Sequence, residues 1–436
     1  MNELRTVRGM RDLMGREMRI RNYLVSTCVD VFQLFGFEPL DSPAMELWET
    51  LSAKGGEEVE EETFKFTDKG DREVGLRFDL TVPLARIVAG NPHLSKPFKR
   101  YAVGKAWRYD RPQAGRYREF MQADVDIIGS SSPVADAEVV VIALEILDRI
   151  LKSDFRIRIN NRKVLKGLVE VAGVRDELSF ECFRAIDKLD KIGVDGVVKE
   201  LKERGINSDS SEILLDAIMI RGFGEDALSK FEELLKTSSI GMEGLSELRM
   251  MSSIFERSGV QDFVEFDMSL ARGLDYYTGP VFEGLYLGKP YVGAILGGGR
   301  YDKLIERFGG SPTPATGISI GIDRLIDVLM PRNLDDLIGQ TLDVFIAPIN
   351  TPMVEYAMAL RRLLTRKGIS SEVDLMDRPL GKLLELADER GAKFTIIVGE
   401  RDMKKNQVSI RNMSTKSTEQ VNFNDTSQYL EKVIRN

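Results

Sequence analysis

Histidine is almost absent from this chain of 436 residues: His93 stands alone, in the loop-like context Asn91-Pro-His-Leu-Ser-Lys96. That scarcity removes Ser–His and Cys–His nucleophile pairs, HExxH zinc sites and imidazole proton shuttles from consideration. Cysteine occurs twice, at Cys28 and Cys182, too few for a disulfide framework or a cysteine-based zinc site. Long apolar runs are missing as well. The most apolar stretch, Val139 to Leu144, is broken by Glu145 and is far too short to span a bilayer. The first residues, Met1 to Arg8, are polar and charged rather than signal-like, so a cytoplasmic protein is expected. Catalysis, if there is any, rests on arginines, carboxylates, tyrosines and a bound cation. That inventory suits phosphoryl or acyl-phosphate chemistry, which needs positioning and positive charge more than a protein base.

What is present is a soluble globular composition, 43% hydrophobic and 30% charged, with length for about three domains. The net charge of −8 is unevenly spread. Between Lys96 and Arg118 eight basic residues face a single acid, Asp110, a local excess of seven. Such a patch can hold a polyphosphate at one spot; a solvated basic face is the alternative. Helical spacing marks residues 16–35, and Phe37 to Pro43 reads as an extended edge segment. Five glutamates within residues 57–62 read as a solvated loop. Segments around 64–66, 74–78, 99–103 and 120–128 have strand character, and a helix is expected over 134–151. Strands joined by hairpins favour an antiparallel sheet flanked by helices, an α+β catalytic domain. Residues 161–255 read as a helical insertion, with helical periodicity and dense charge in stretches such as 183–192 and 197–204. Strand-like segments return from 263 to 299 and over 315–322, the last running into a helix at 323–329. From 340 to 436 strands alternate with helices, which predicts a small α/β domain lacking any GxGxxG or GxxxxGK[ST] phosphate loop.

Three segments carry the chemistry. The first is Leu270-Ala-Arg-Gly-Leu-Asp-Tyr-Tyr-Thr-Gly279, where a guanidinium and two phenols sit between glycines, a wall suited to a small ring-bearing substrate. The second is a hairpin from Lys105 to Asp126, with Pro112 and Gly115 marking its loop. Gln122, Asp124 and Asp126 alternate there, so they share one sheet face, and buried carboxylates in that position call for cationic or N–H-bearing partners. The third is Thr316-Gly-Ile-Ser-Ile-Gly321 followed by Arg324, glycines against which a nucleotide can lie flat. The glycines of Gly297-Gly-Gly-Arg-Tyr-Asp302 read as close packing rather than as a phosphate loop.

Together these segments resemble the class II aminoacyl-tRNA synthetases. Asp41 to Pro43, Phe98 to Gly129 and Ala315 to Leu329 are similar to the three motifs of that family, and Arg272-Gly-Leu-Asp-Tyr-Tyr277 to a signature of its histidine-specific branch. The resemblance implies activation of histidine with ATP, entering with Mg²⁺, and transfer to tRNA(His), in a cytoplasmic homodimer without membrane association or a resident metal. It implies a catalytic core over 1–160 and 256–330 and an anticodon-binding domain over 340–436. Arg108, Arg272 and Arg324 would be catalytic. Arg108, Arg116 and Arg324 would bind ATP, and Arg111 and Gln113 the tRNA acceptor end. Asp79, Thr81 and Gln122 would hold the histidine amino group. Asp126 and Tyr277 would take the imidazole nitrogens, with Tyr276 beside them. Aspartate at 79 and 126, where bacterial relatives carry glutamate, is similar to the archaeal and eukaryotic branch. The alternative is a synthetase-like regulatory subunit that binds histidine without charging tRNA; the presence of Arg108, Arg272, Arg324 and residues 340–436 disfavours it.

Overall fold

The computed structural model describes residues 4–53, 57–111, 115–271, 276–289, 292–334, 338 and 342–435. They form two compact units, Met1–Arg332 and Asn333–Asn436. In the first, nine strands among the described residues make one sheet, ordered β1-β5-β6-β12-β11-β10-β7-β9-β8. They are β1 (Glu38–Pro39), β5 (Phe98–Trp107), β6 (Glu119–Ile128), β7 (Phe155–Asn161), β8 (Arg221–Gly222), β9 (Val264–Asp267), β10 (Pro280–Tyr286), β11 (Ala294–Arg300) and β12 (Ala315–Gly321). Three further strands, β2 (Met45–Leu47), β3 (Lys65–Thr67) and β4 (Glu73–Leu76), make a small separate sheet.

The centre of the large sheet is antiparallel, as hairpin-linked strands require, but two joins are parallel: β1 with β5, and β7 with β9. A parallel pair needs a crossover connection. For β7 and β9 that crossover is the helical run from Arg162 to Arg257, which leaves the sheet after one strand and returns along the other. One local expectation is corrected here: Glu57–Glu62 is a short helix rather than a loop. The helical stretch 183–192 is shared between helices Ser179–Ile186 and Leu189–Glu203.

Helix α1 (Gly15–Leu34) buries Ile20, Leu24, Cys28, Val31 and Phe32, positions three to four apart that make one stripe. The long helix Pro133–Leu151 is capped by Ser132, whose hydroxyl accepts from the Val134 N–H at 3.3 Å, with proline in its first turn. Its apolar length packs against α1. β6 has two faces of opposite character. Ala123, Val125 and Ile127 are buried in the core, whereas Gln122, Asp124 and Asp126 point to the other side.

In the second unit five strands among the described residues are ordered β14-β13-β15-β16-β17: β13 (Val344–Pro348), β14 (Ser371–Val373), β15 (Phe394–Val398), β16 (Gln407–Asn412) and β17 (Thr418–Asn422). The first three are parallel and the last two antiparallel, a mixed α/β arrangement. Its core gathers Ile346, Leu360, Leu364, Val398, Val408 and Leu430.

Two of the three successive glycines of β11, Gly298 and Gly299, are explained by approach distances. A Cβ on Gly298 would collide with the Gly317 carbonyl and lie 2.7 Å from Ile318 Cα on the neighbouring strand, and one on Gly299 would lie 3.1 Å from the Tyr277 ring. Gly298→Ala is therefore expected to destabilise the larger unit by about 1–3 kcal/mol, the usual cost of overpacking against backbone that cannot yield. Urea denaturation of the variant checks this; an unchanged midpoint would contradict it.

Candidate active site

A cavity of about 530 Å³ opens on the polar face of β6. Its walls are β6 and β12, its floor includes Gly297 of β11, and the start of helix α4 (Thr81–Gly90) and the Tyr276–Tyr277 pair close the sides. The strand register orders its contents. Gln122 lies across from Gly321, Asp124 from Ser319 and Asp126 from Gly317. Four residues along a strand is ~13 Å, so the two ends of the cavity present different chemistry.

One end carries three arginines, with Asp110 and Asp323 beside them. Arg108 follows directly on the last residue of β5, and its backbone N–H continues the hairpin by donating to the Arg118 carbonyl at 2.9 Å. Its Nε donates to the Phe78 carbonyl at 3.0 Å, and its guanidinium lies 5.3 Å from the centre of the Phe120 ring. Arg324 is in the first turn of the helix Ile322–Leu329, donating from Nε to the Gly115 carbonyl at 3.1 Å and from Nη1 to the Ala294 carbonyl. Arg116 pairs with Asp110 at 2.6 Å. Asp110 also faces Glu62, whose carboxyl is pushed up to about 7, by burial first and by Asp110 second.

The other end is acidic. Asp79 caps helix α4, accepting from the backbone N–H of Thr81 at 3.1 Å and of Val82 at 2.9 Å. Asp124 is buried, and desolvation pushes its carboxyl up to about 7 against the pull of Arg100. Asp126, buried as well, is 2.7 Å from the Arg100 guanidinium and accepts from the Tyr301 hydroxyl. Gln122 donates to Ser319 Oγ at 2.6 Å. Gln122 Oε1 and Asp124 Oδ1 are buried acceptors with no hydrogen-bond partner among the described residues. Two orphaned acceptors beside an acidic cluster fit a ligand that carries several N–H donors. The rings of Tyr276 and Tyr277 lie 4.3 Å apart at 40°, and Tyr276 faces Tyr301 at 6.2 Å.

The cavity thus brings together Asp79, Thr81, Arg108, Arg116, Gln122, Asp126, Tyr276, Tyr277 and Arg324. Arg111 is exposed and does not line it. Arg272 and Gln113 lie outside the described residues. Asp124, Ser319, Tyr301 and Arg100 were missed as site residues. The alternation of β6 was the signal for Asp124, and Arg100 stands directly across the hairpin from Asp126. His93 is exposed in a turn, and both cysteines are buried with their thiols pushed up to about 12, so none of the three supplies a nucleophile here.

Comparison with known proteins is consistent along the whole chain. The family model described as Histidyl-tRNA synthetase matches residues 9–325, and that described as Anticodon binding domain matches residues 343–433. The histidine–tRNA ligase of Aeropyrum pernix is 44% identical over 378 residues, covering 85% of each chain. That of Pyrococcus furiosus is 36% identical over 430 residues, covering 98% of this chain and 99% of the other. The crystal structure of histidyl-tRNA synthetase from a Nostoc species superposes with a TM-score of 0.86 at 30% identity, covering 99% of both chains.

The buried carboxyl of Asp124 gives a test by pH. Its pKa in the fold is raised above the unfolded value, so the folded state binds more protons between about pH 4 and pH 7 and stability falls as pH rises through that window. Asp124→Asn is expected to remove this loss. The variant should gain stability relative to wild type as pH rises from about 5 to 8, on the order of a few kcal/mol at the top of the range. Denaturant melts at several pH values measure the difference, and a gap independent of pH would show that Asp124 is ionised throughout.

Proposed function

This chain belongs to the histidyl-tRNA synthetase family, and from that membership we propose how its cavity performs the ligation of histidine to tRNA. The carrying observation is the polarity of the cavity along β6 and β12, arginines at one end and carboxylates with tyrosines at the other. Histidine lies at the acidic end. Its ammonium is held by Asp79, Thr81 and the free Oε1 of Gln122, and its ring by Asp126 and Tyr277 with Tyr276 alongside. A site that satisfies both nitrogens of a ring rejects analogues lacking them by roughly 10⁴–10⁵.

ATP enters as its Mg²⁺ complex with its phosphates toward the arginines and its base over the bare strand at Gly297 and Gly321. A histidine carboxylate oxygen attacks the α-phosphorus in line, the bond to the β-phosphate oxygen breaks, and pyrophosphate leaves. Arg108 and Arg272 neutralise the charge on the α-phosphate oxygens, while Arg324 and Arg116 hold the outgoing pyrophosphate end. The terminal ribose hydroxyl of tRNA then attacks the histidyl carbonyl carbon, its proton passing to a phosphate oxygen of the adenylate, and AMP departs with the electron pair of the broken bond.

Residues 340–436 serve as the anticodon-binding domain and residues 161–255 as a helical insertion on the core of 1–160 and 256–330, with Arg111 and Gln113 meeting the acceptor end. A cytoplasmic homodimer completes the reading. Exposed Met45, Leu47 and Phe66 on the small sheet beside the first motif support the dimer. No helix among the described residues is long and apolar enough to cross a membrane.

Pyrophosphate exchange run across the twenty amino acids is expected to respond to histidine alone; a response to another amino acid, or to none, would reject the assignment. Arg108→Ala and Arg272→Ala should each lower exchange by at least ~10³, as loss of a charge-neutralising arginine does in related phosphoryl transfers. Binding of tRNA, read by filter retention, should stay within about threefold. Normal exchange in either variant would remove that arginine from the mechanism.

A further inference from the structure

Arg100 is fully buried on β5, directly across the hairpin from Asp126. Its Nη2 lies 2.7 Å from Asp126 Oδ2 and donates to the Leu80 carbonyl at 3.1 Å. The Tyr301 hydroxyl donates to the other carboxylate oxygen, Oδ1. On the third side Gly317 of β12, in register with Asp126, brings bare backbone against Oδ1, and any Cβ there would collide with it. The carboxylate is thus held from two sides, by the guanidinium and by the phenol, and Gly317 leaves the space that it occupies. A guanidinium with no exposure is unfavourable unless its charge is matched, and here it faces several acids.

We propose that Arg100 and Tyr301 are positioning residues for histidine recognition: they hold the Asp126 carboxylate aimed as a hydrogen-bond acceptor for the imidazole ring, and so set the selectivity for that ring. The inference rests on the assignment of the acidic end of the cavity to histidine. The ionisable groups facing Asp126 are Arg100 of β5, Asp124 of β6, Asp79 ahead of α4, Tyr276, and Tyr301 after β11. Among these, Arg100 is the one cation. Burial raises the Asp126 carboxyl overall; Arg100 first and the Tyr301 hydroxyl second limit that rise, and the charge of Asp79 adds to it. Without Arg100 the carboxyl keeps its proton to higher pH and offers the ring a donor where an acceptor is needed.

The test is pyrophosphate exchange by the full chain, with histidine and ATP varied from about pH 6 to pH 9. Arg100→Leu is expected to raise the histidine KM about 100-fold at neutral pH, to leave the ATP KM within about twofold, and to recover as pH rises. Arg100→Lys restores the charge without the planar fork, so it should regain the wild-type pH profile and most of the affinity. Tyr301→Phe should raise the histidine KM about tenfold, with its pH profile displaced in the same direction as that of Arg100→Leu. A folded Arg100→Leu protein, judged by its melting transition, with wild-type histidine KM throughout overturns the proposal. If that variant does not fold, an unchanged histidine KM in Tyr301→Phe does so. Gln122→Ala separates the two levels. If it raises the histidine KM while the Arg100 and Tyr301 variants do not, only the positioning role fails; if it also leaves the KM unmoved, the cavity is not the histidine site.

Discussion

Asp79, Asp124 and Asp126 are buried close to one another, and the guanidinium of Arg100 lies among them, with Arg77 acting on Asp124 as well. Like charges this close cannot all ionise without a counter-charge, and each uncompensated buried carboxylate costs several kcal/mol. The structure answers in three ways. Asp79 is stabilised by the N–H groups at the start of a helix, Asp126 by an ion pair and a phenol, and Asp124 by a carboxyl held close to neutrality. On the function proposed above, the cationic ammonium of the substrate completes this balance.

Strand pairing converts that balance into geometry. β6 is central in the sheet, paired with β5 on one side and β12 on the other, so the polar side chains of its cavity face are fixed by two ladders. Side chains projecting from such a strand are held more rigidly than those of a loop. The glycines of β11 and β12 serve the same purpose by subtraction. Where Gly298 meets Gly317 the backbones approach closely, and where Gly317 faces Asp126 the carboxylate has room. The arginines at the other end are aimed by backbone carbonyls, those of Phe78, Gly115 and Ala294, whose positions the fold dictates.

Much of this was legible before any coordinates. The hairpin, the alternation of Gln122, Asp124 and Asp126, the strand-to-helix passage before Arg324 and the close packing of the Gly297 run follow from period-two patterning and turn residues, which are local. What escaped was non-local or context-dependent. The parallel joins of β1 with β5 and β7 with β9 depend on where the chain returns after long excursions, which no local window contains. Glu57 to Glu62 has helix-forming side chains, but its charge density read as solvation. Arg100 was hidden by its neighbours: within a basic segment an arginine reads as surface charge, and only the pairing register reveals that this one points inward at an acid.

His93, exposed in its turn, leaves the protein with a single imidazole of its own. Its two carbon-bound ring protons are the only host signals of this residue type, and they lie among those of the tyrosine, phenylalanine and tryptophan rings. Isotope-labelled histidine bound to the unlabelled protein would report the tautomer and protonation of the substrate ring against a single host imidazole.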